Sequence, residues 1–252
     1  MDSTNHLPVS GTSAVLLYHR MGRPKLSSLV AGQYVVPGLL GLQLDFLRNR
    51  GWVATTLDEI VGGSAAPDMI VGKRFAVTFD DGYLSVYDYA YPVLKSKGVL
   101  ATLFIVAETV GGLNEWDRRA GDQTEKMMTA EQIREMASAG FEIGSHTLSH
   151  PYLTGLSDEQ LKMELSDSKR RLEDIVGKEV AAFSYPYGDF DLRVSRAAVE
   201  AGYLYAASTK LGVVVPGTDS FAIPRVNVRW NALGHLLLRK INRAERLSGI
   251  GP

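Results

Sequence analysis

The chain has 252 residues, of which 45% are hydrophobic and 22% are charged, and its formal net charge at pH 7 is -1. A near-neutral charge gives no electrostatic reason to expect nucleic acid or an anionic membrane as a partner, and the absence of cysteine excludes disulfides and thiolate metal sites. The length suits one α/β barrel better than two small domains, so we expect a single domain over residues 1–252, in which any metal is bound by nitrogen and oxygen.

Short apolar runs rich in β-branched and aromatic residues recur along the chain and predict buried strands. They cover residues 13–18, 74–79, 101–107, 141–144, 181–185, 203–208 and 221–228. Amphipathic stretches lie between most of them. Helix starts are predicted by two capping boxes, Thr129 with Gln132 and Ser157 with Gln160, and helix ends by Gly98, Gly140, Gly177 and Gly202. This alternation predicts parallel strands with helices outside, either in a closed or nearly closed barrel or in an open doubly wound sheet.

The first apolar run is the candidate for a signal peptide or a membrane span, so its length indicates where in the cell the protein is found. Its apolar stretch at residues 14–17 is too short for the core of a signal peptide or for a membrane span. We therefore expect no membrane span and, for the chain as written, a cytoplasmic location, with an exported form left open. The sequence does not indicate the oligomeric state.

Two neighbouring carboxylates, Asp80 and Asp81, follow the second predicted strand and directly precede Gly82. Burying charge at a strand end is costly, so a fold keeps it mainly where a cation or a reaction uses it. Adjacent strand residues point to opposite faces, so the two carboxylates converge only if the strand ends there, at a turn that Gly82 permits. Such a pair can supply one metal ligand and one free base, although Asp-Asp-Gly more often marks a simple turn.

Two histidines, His146 and His150, follow another predicted strand and precede Pro151. At this spacing they share one face of a helical turn, and Pro151 disfavours the α conformation at His150, so we expect that turn to be short. A surface or core role is the common alternative for such a pair. Placed after a different strand from the two aspartates, the histidines predict a metal-dependent hydrolase site.

Three segments carry a family resemblance: TFDDG at residues 78–82, SHTLSHP at 145–151 and FSYPYG at 183–188. In order and spacing they resemble the first three motifs of the polysaccharide deacetylases of the NodB-homology type, carbohydrate esterase family 4. The resemblance runs from about residue 14 to residue 228 and implies a distorted (β/α) barrel with about seven parallel strands. It also implies a divalent metal, zinc first and cobalt or nickel as alternatives.

The resemblance further implies a role for each matched residue. Asp81, His146 and His150 would be the metal ligands, and Asp80 would be the general base that takes a proton from water. The backbone N–H of Tyr187 would help to hold the oxyanion, a role that suits a prepositioned donor.

The third motif departs from the family pattern. Many members carry an arginine there that orients the base, whereas this chain has Ser184. Arg225, at the end of the last predicted strand, is the candidate to reach in and replace it, with a surface arginine as the alternative. The late family motif that supplies a histidine acid has no convincing counterpart, because His235 lies in a predicted amphipathic helix at residues 231–243. The residue that protonates the departing amine stays open.

Residues 15–20, 51–60 and 223–226 are similar to the branch that contains poly-N-acetylglucosamine deacetylases. His19, at the tip of the first strand, is therefore a candidate to touch substrate, with a structural hydrogen bond as the alternative. A polar segment at residues 108–126 is either a substrate loop or a solvated connection. Its Trp116 is the best of the three tryptophans for stacking on a sugar, since core packing is the default for Trp52 and Trp230.

The leading hypothesis is a metal-dependent hydrolase that removes N-acetyl groups from a hexosamine-containing polysaccharide or glycoconjugate. One alternative is a related C–N hydrolase, of deformylase or cyclic-ureide type, that acts on a small substrate. Another is a catalytically silent glycan-binding relative. We disfavour the silent relative because the candidate base Asp80 is retained beside the complete set of candidate ligands.

Overall fold

The computed structural model of the chain describes residues 11–24, 28–62 and 72–250. Within these ranges the strands are β1 (Gly11–Tyr18), β2 (Arg20–Met21), β3 (Tyr34–Val35), β4 (Val53–Ala54), β5 (Gly72–Phe79), β6 (Ala101–Ile105), β7 (Glu142–Ser145), β8 (Ala182–Ser184), β9 (Tyr205–Ala207) and β10 (Val226–Asn227). The α-helices are α1 (Pro37–Arg48), α2 (Leu57–Val61), α3 (Tyr91–Ser96), α4 (Glu115–Arg119), α5 (Ala130–Ser138), α6 (Asp158–Val176), α7 (Leu192–Glu200) and α8 (Gly234–Leu247). A π-helical turn, Val86–Ala90, leads into α3, and short 3-10 turns occupy Ala31–Gln33, Ala107–Thr109 and Pro186–Gly188.

The main sheet curls into a barrel. Strands β10, β1, β5, β6, β7, β8 and β9 lie side by side in that order, all neighbours are parallel, and β4 adds a short pairing to β5. Residues 223–227 join its two edges, because Ile223 pairs with Ala207 of β9 while Val226 pairs with Leu16 of β1. The predicted distorted (β/α) barrel with about seven parallel strands is confirmed, and the open sheet is not formed.

Apolar side chains pack on both faces of this curled sheet. A small inner set, which includes Val15, Ala76 and Phe104, fills the barrel, and a larger outer set packs between the strands and the helices. Gly144 belongs to the inner face, where a Cβ atom would lie 2.6 Å from Cδ1 of Phe104, so this position has room for hydrogen alone.

The two predicted capping boxes are confirmed, whereas the helix predicted at residues 231–243 is shifted and covers Gly234–Leu247. Thr129 and Ser157 form the two capping boxes, and Gly177 ends α6 with a φ angle of 68°. The last predicted strand is shorter than expected, because only Val226–Asn227 pairs as a strand beyond the bridge at Ile223. No helix in the described ranges is both long enough and apolar enough to cross a membrane.

Candidate active site

Polar side chains from four parts of the chain meet at the carboxyl ends of the parallel strands. Asp80 directly follows β5, His146 directly follows β7, Ser184 ends β8, and Arg225 directly precedes β10. Barrels with parallel strands place the residues that follow each strand at one common rim. These residues are far apart in the sequence, and the barrel brings them together.

The strand ends at Phe79 as predicted, and the turn that follows it separates the two aspartates. The N–H of Asp80 still donates to the Tyr18 carbonyl at 3.0 Å, but Asp81 has a φ angle of 74° and Gly82 one of 88°. A left-handed conformation at an aspartate is uncommon and redirects its side chain. The turn therefore starts at Asp81 itself. Gly82 follows in a tight space, since a Cβ atom there would lie 3.0 Å from Cδ1 of Ile105.

The predicted helical turn at the two histidines is wrong. Thr147 and His150 have φ angles of 69° and 67°, which no right-handed turn contains. The buried carboxylate of Glu164 on α6 holds this loop instead, since it accepts hydrogen bonds from the N–H groups of Leu148 and Ser149, each at 2.9 Å. The sequence pattern did not single out Glu164, because nothing local links α6 to this loop.

Three buried side chains form a candidate metal centre. The Oδ1 atom of Asp81 lies 3.3 Å from Nε2 of His146 and 3.4 Å from Nε2 of His150, and one potential ligand atom from each residue lies within 4.8 Å of the others. The Nδ1 atom of His146 is 2.7 Å from the Ser184 carbonyl, which can only accept, so in the neutral ring Nδ1 carries the proton and Nε2 presents its lone pair. Two imidazole nitrogens and one carboxylate oxygen fit zinc with a coordination position left open.

The protonation of two of these three groups, Asp81 and His150, suits a cation. Burial opposes the charged form of Asp81, but hydrogen bonds from His146 and His150 outweigh burial and hold the pKa of its carboxyl well below the usual value. Burial lowers the pKa of His150, which favours the neutral ring that a metal requires. Burial also opposes charge on His146, but its hydrogen bond to Asp81 and the charge of Asp80 raise its pKa, so a bound cation would compete with a proton there.

Asp80 lies beside this cluster, with Oδ2 4.0 Å from Nε2 of His146, and is bound by Arg225. The guanidinium donates from Nη1 and Nη2 to the two carboxylate oxygens, each at 2.7 Å, and both side chains are buried. Ser184 bridges the pair, accepting from Arg225 at 2.8 Å and donating to Asp80 at 3.2 Å. Burial raises the pKa of Asp80, but the Arg225 charge outweighs it, and the net pKa is lowered. Ser184 stands where many family members have an arginine beside the base, and in this chain Arg225 makes that contact with Asp80 instead. Arg225 is buried and is therefore not a surface arginine.

Aromatic rings surround the His150 imidazole. Trp116 stacks on it with a centroid separation of 4.4 Å, and the Tyr187 ring lies edge-on at 4.6 Å. The Tyr187 hydroxyl is 3.1 Å from Nδ1 of His150. Tyr152, which the sequence analysis did not single out, stacks on Tyr187 at 4.1 Å, and the two tyrosines are 62% and 46% exposed. An open aromatic surface therefore begins at the candidate metal centre.

The remaining predicted residues fall in different places. His19 is half-buried and directly follows β1, next to Asp80, because Tyr18 pairs with Phe79. Burial lowers the pKa of His19 against the opposing charges of Asp81 and Asp80. Trp52 is buried as expected, whereas Trp230 is 63% exposed and so does not follow the core default. His235 is exposed on α8, which packs on α1 outside the barrel.

The family can be decided from the sequence and this geometry together. Residues 71–206, more than half of the chain, match the family model described as polysaccharide deacetylase. The chain belongs to the polysaccharide deacetylase family. The recognition of this family from its three motifs is confirmed.

The curated relatives of this polysaccharide deacetylase family member match it over only part of their own length. YxkH of Bacillus subtilis, whose name places it among the polysaccharide deacetylases, is 34% identical over 156 residues, which are 62% of this chain and 52% of that protein. A poly-beta-1,6-N-acetyl-D-glucosamine N-deacetylase of Staphylococcus aureus strain N315 is 29% identical over 175 residues, 65% of this chain and 57% of that protein. The chain thus spans about half the length of these curated relatives.

Solved structures agree with the fold. IcaB from Ammonifex degensii has a TM-score of 0.75 at 26% identity, with 91% of this chain and 97% of that chain covered. A polysaccharide deacetylase from Bacillus cereus has the same TM-score and identity, with 91% of this chain and 68% of that chain covered. The distorted barrel is therefore shared with deacetylases of known structure.

Proposed function

We propose that this polysaccharide deacetylase family member is a metal-dependent hydrolase that removes N-acetyl groups from a hexosamine-containing polysaccharide or glycoconjugate. The observation that carries the proposal is a candidate metal centre beside a separately held carboxylate, Asp80, at the carboxyl rim of the barrel. The name of the Staphylococcus aureus relative supports an acetylated amino sugar as substrate. The formal net charge of -1 gives no reason to expect nucleic acid as a partner.

Asp81, His146 and His150 would hold the cation, for which zinc is the first candidate and cobalt or nickel are alternatives. When bound, a divalent cation at this place supplies Lewis acidity that polarises a carbonyl and acidifies water. The chain's own contribution to binding is a set of ligands that is already oriented. The Ser184 carbonyl fixes the tautomer of His146, and the Tyr187 hydroxyl lies at the outer nitrogen of His150.

Asp80 would accept a proton from the attacking water. It is suited to this because it is ionised and because Arg225 and Ser184 fix its orientation without placing it among the ligands. The backbone N–H of Tyr187 would donate to the oxyanion that forms at the acetyl carbon. Gly188 holds this turn, since its φ angle is 73° and a Cβ atom there would lie 2.0 Å from Oγ1 of Thr209.

Substrate contacts are proposed for the side chains that border this centre. Trp116 and Tyr187 offer aromatic faces on which the apolar face of a sugar can pack, and the exposed Tyr152 extends that surface. His19 directly follows β1, the sheet neighbour of β5, and would contact the substrate from beside the carboxylates.

The function is tested by product analysis with the metal-loaded chain. Acetate released from oligomers of N-acetylglucosamine supports the proposal. Formate released from formylated amino sugars, without acetate, would assign the site to the related C–N hydrolases instead. Binding of the oligomers with no product after long incubation would identify a silent glycan-binding relative and overturn the proposal.

Arg225→Lys is expected to reduce acetate release by about 10–100-fold while the metal content stays unchanged. Lysine keeps the positive charge but has a single ammonium in place of the planar fork that binds both oxygens of Asp80, so the base loses its fixed orientation. The measurement is kcat on an N-acetylglucosamine oligomer, with the exposed Arg134→Lys as the control for the exchange itself. Unchanged turnover in Arg225→Lys would remove Arg225 from the proposed mechanism.

Tyr187→Phe is expected to weaken zinc affinity by about tenfold, because the outer nitrogen of His150 loses its hydroxyl partner. The proposed oxyanion donor is the backbone N–H, which this change keeps, so kcat at saturating zinc should be nearly unchanged. Affinity is measured by competition with a chelating dye. Tyr152→Phe is the matched control, since Tyr152 contributes a stacked ring next to Tyr187. Equal affinity in wild type and Tyr187→Phe would show that the hydroxyl does not support the ligand.

A further inference from the structure

A second buried polar cluster lies beside the candidate active site and has no part in the mechanism above. Arg20 is only 2% exposed and forms an ion pair with Asp117, which is 8% exposed. The same guanidinium nitrogen donates to the Tyr83 hydroxyl at 2.6 Å. Asn114 donates to Asp117 at 2.6 Å and to Tyr83 at 3.2 Å, which completes the cluster.

This ion pair connects two separate parts of the site. Arg20 directly follows His19 at the end of β1, and Asp117 directly follows Trp116 in α4. Trp116 in turn stacks on the His150 ring at an interplanar angle of 27°. The position of the tryptophan over the candidate ligand is thereby coupled to a buried charge on β2, which begins two residues after β1 ends.

Stability alone is a poor explanation for this pair. Buried ion pairs rarely stabilise a fold more than apolar side chains of similar volume, because both charges lose their hydration. Here the Nε atom of Arg20 is buried without a hydrogen-bond partner among the described residues, which adds to that cost. Backbone hydrogen bonds already close the base of the segment that carries α4. The N–H of Gly111 donates to the Met128 carbonyl at 2.8 Å, and the N–H of Met127 donates to the Gly112 carbonyl at 3.0 Å.

We propose that Arg20 and Asp117 are positioning residues: their ion pair, here called the α4 latch, holds Trp116 against His150 so that the aromatic side of the sugar site is formed before substrate arrives. Trp116 is half-buried, so part of its ring remains open to a ligand. The latch acts on glycan binding and not on the reacting groups. Its consequence for catalysis rests on the proposed deacetylase function, whereas its effect on Trp116 does not.

The first test follows Trp116 by fluorescence. The chain has three tryptophans, so Trp52→Phe with Trp230→Phe leaves Trp116 as the only emitter. In that background we compare Asp117→Asn with the double variant Arg20→Met, Asp117→Leu. Both are expected to shift the emission to longer wavelength and to raise acrylamide quenching severalfold, because the ring leaves His150. The double variant removes both buried charges together and is expected to melt near wild type, so its signal does not report lost stability.

The second test separates positioning from general damage. The latch variants are expected to raise KM for an N-acetylglucosamine oligomer about three- to tenfold, the cost of ordering a free aromatic side chain on binding. Their kcat/KM on a small ester, p-nitrophenyl acetate, should stay near wild type because that probe does not need the sugar site. Glu142→Gln is the matched control: it also replaces a hydrogen-bonded carboxylate by an amide, at the opposite end of the sheet, where Thr102 and Tyr205 donate to it.

Two outcomes overturn the latch. One is Trp116 fluorescence that is unchanged in both latch variants. The other is a parallel loss of glycan and ester turnover in those variants, which would indicate a structural role only. If the unmodified chain releases no acetate from any acetylated glycan, the proposed function fails, and the fluorescence comparison alone decides whether the latch exists.

Discussion

Replacing Asp80 with asparagine is expected to lower the rate of acetate release by about a thousandfold while the chain keeps a full equivalent of metal. General-base catalysis contributes about 10²–10⁴-fold to rates, and an amide accepts no proton at neutral pH. Asp81, His146 and His150 are untouched by this change, so metal binding should persist. The measurement is kcat on an N-acetylglucosamine oligomer together with metal content by elemental analysis.

The control for Asp80→Asn must address stability, because Arg225 is left with a neutral partner. Breaking a buried ion pair from one side costs about 3–5 kcal/mol, so a lower melting temperature is expected. Ser184→Ala disturbs the same pair, removing the hydroxyl that bridges it, but keeps the carboxylate. We expect Ser184→Ala to retain turnover within about tenfold of wild type. Wild-type turnover in folded Asp80→Asn would refute the role of Asp80.

Replacing His146 with alanine is expected to weaken zinc binding by more than about 100-fold, beyond what loss of an outer hydrogen bond costs. Only Asp81 and His150 would remain as protein ligands, and the Ser184 carbonyl would lose its partner. Acetate release should disappear with the metal. Both are measured on protein that has been dialysed against trace zinc.

His19→Ala is the matched control for the histidine change. His19 is also a histidine beside the carboxylates but is not among the three clustered ligands. It should keep a full metal equivalent and alter KM only. A full equivalent of tightly bound zinc in His146→Ala would exclude His146 as a ligand.

The fold was largely predictable because its strands are buried on both faces. Such strands appear as continuous apolar runs, and the predicted run at residues 74–79 lies within the observed β5, Gly72–Phe79. The two-residue strands β2 and β3 were not predicted, since so short a segment has no periodicity to detect. The capping boxes and helix-ending glycines are local chemistry, which the sequence shows directly.

Arg225 shows how a long-range contact can be anticipated. An orienting arginine was missing at Ser184, and a parallel barrel brings the ends of all its strands to one rim. The last strand was therefore a reasonable place to look. Arg225 directly precedes β10 instead of ending the strand as predicted, and it lies 145 positions from Asp80. Arg225 could be predicted because Ser184 stands where the family pattern has an arginine. The local sequence around Arg225 gave no such indication.

Other parts of the site could not be read from the sequence. The left-handed conformations at Asp81, Thr147 and His150 depend on the tertiary contacts that hold each loop. The contacts made by Glu164 and the α4 latch join positions with no common period or spacing. These contacts orient the ligands and the tryptophan, so they decide how the predicted residues meet.

The most direct test of the proposed metal centre is the zinc X-ray absorption spectrum of the chain loaded with one equivalent of zinc. We predict scattering from two imidazole rings and from oxygen, with nearest neighbours at about 2.0–2.1 Å, and the loss of an imidazole contribution in His146→Ala. A spectrum without imidazole scattering, or one that is identical in wild type and His146→Ala, would contradict the assignment of Asp81, His146 and His150 to one cation.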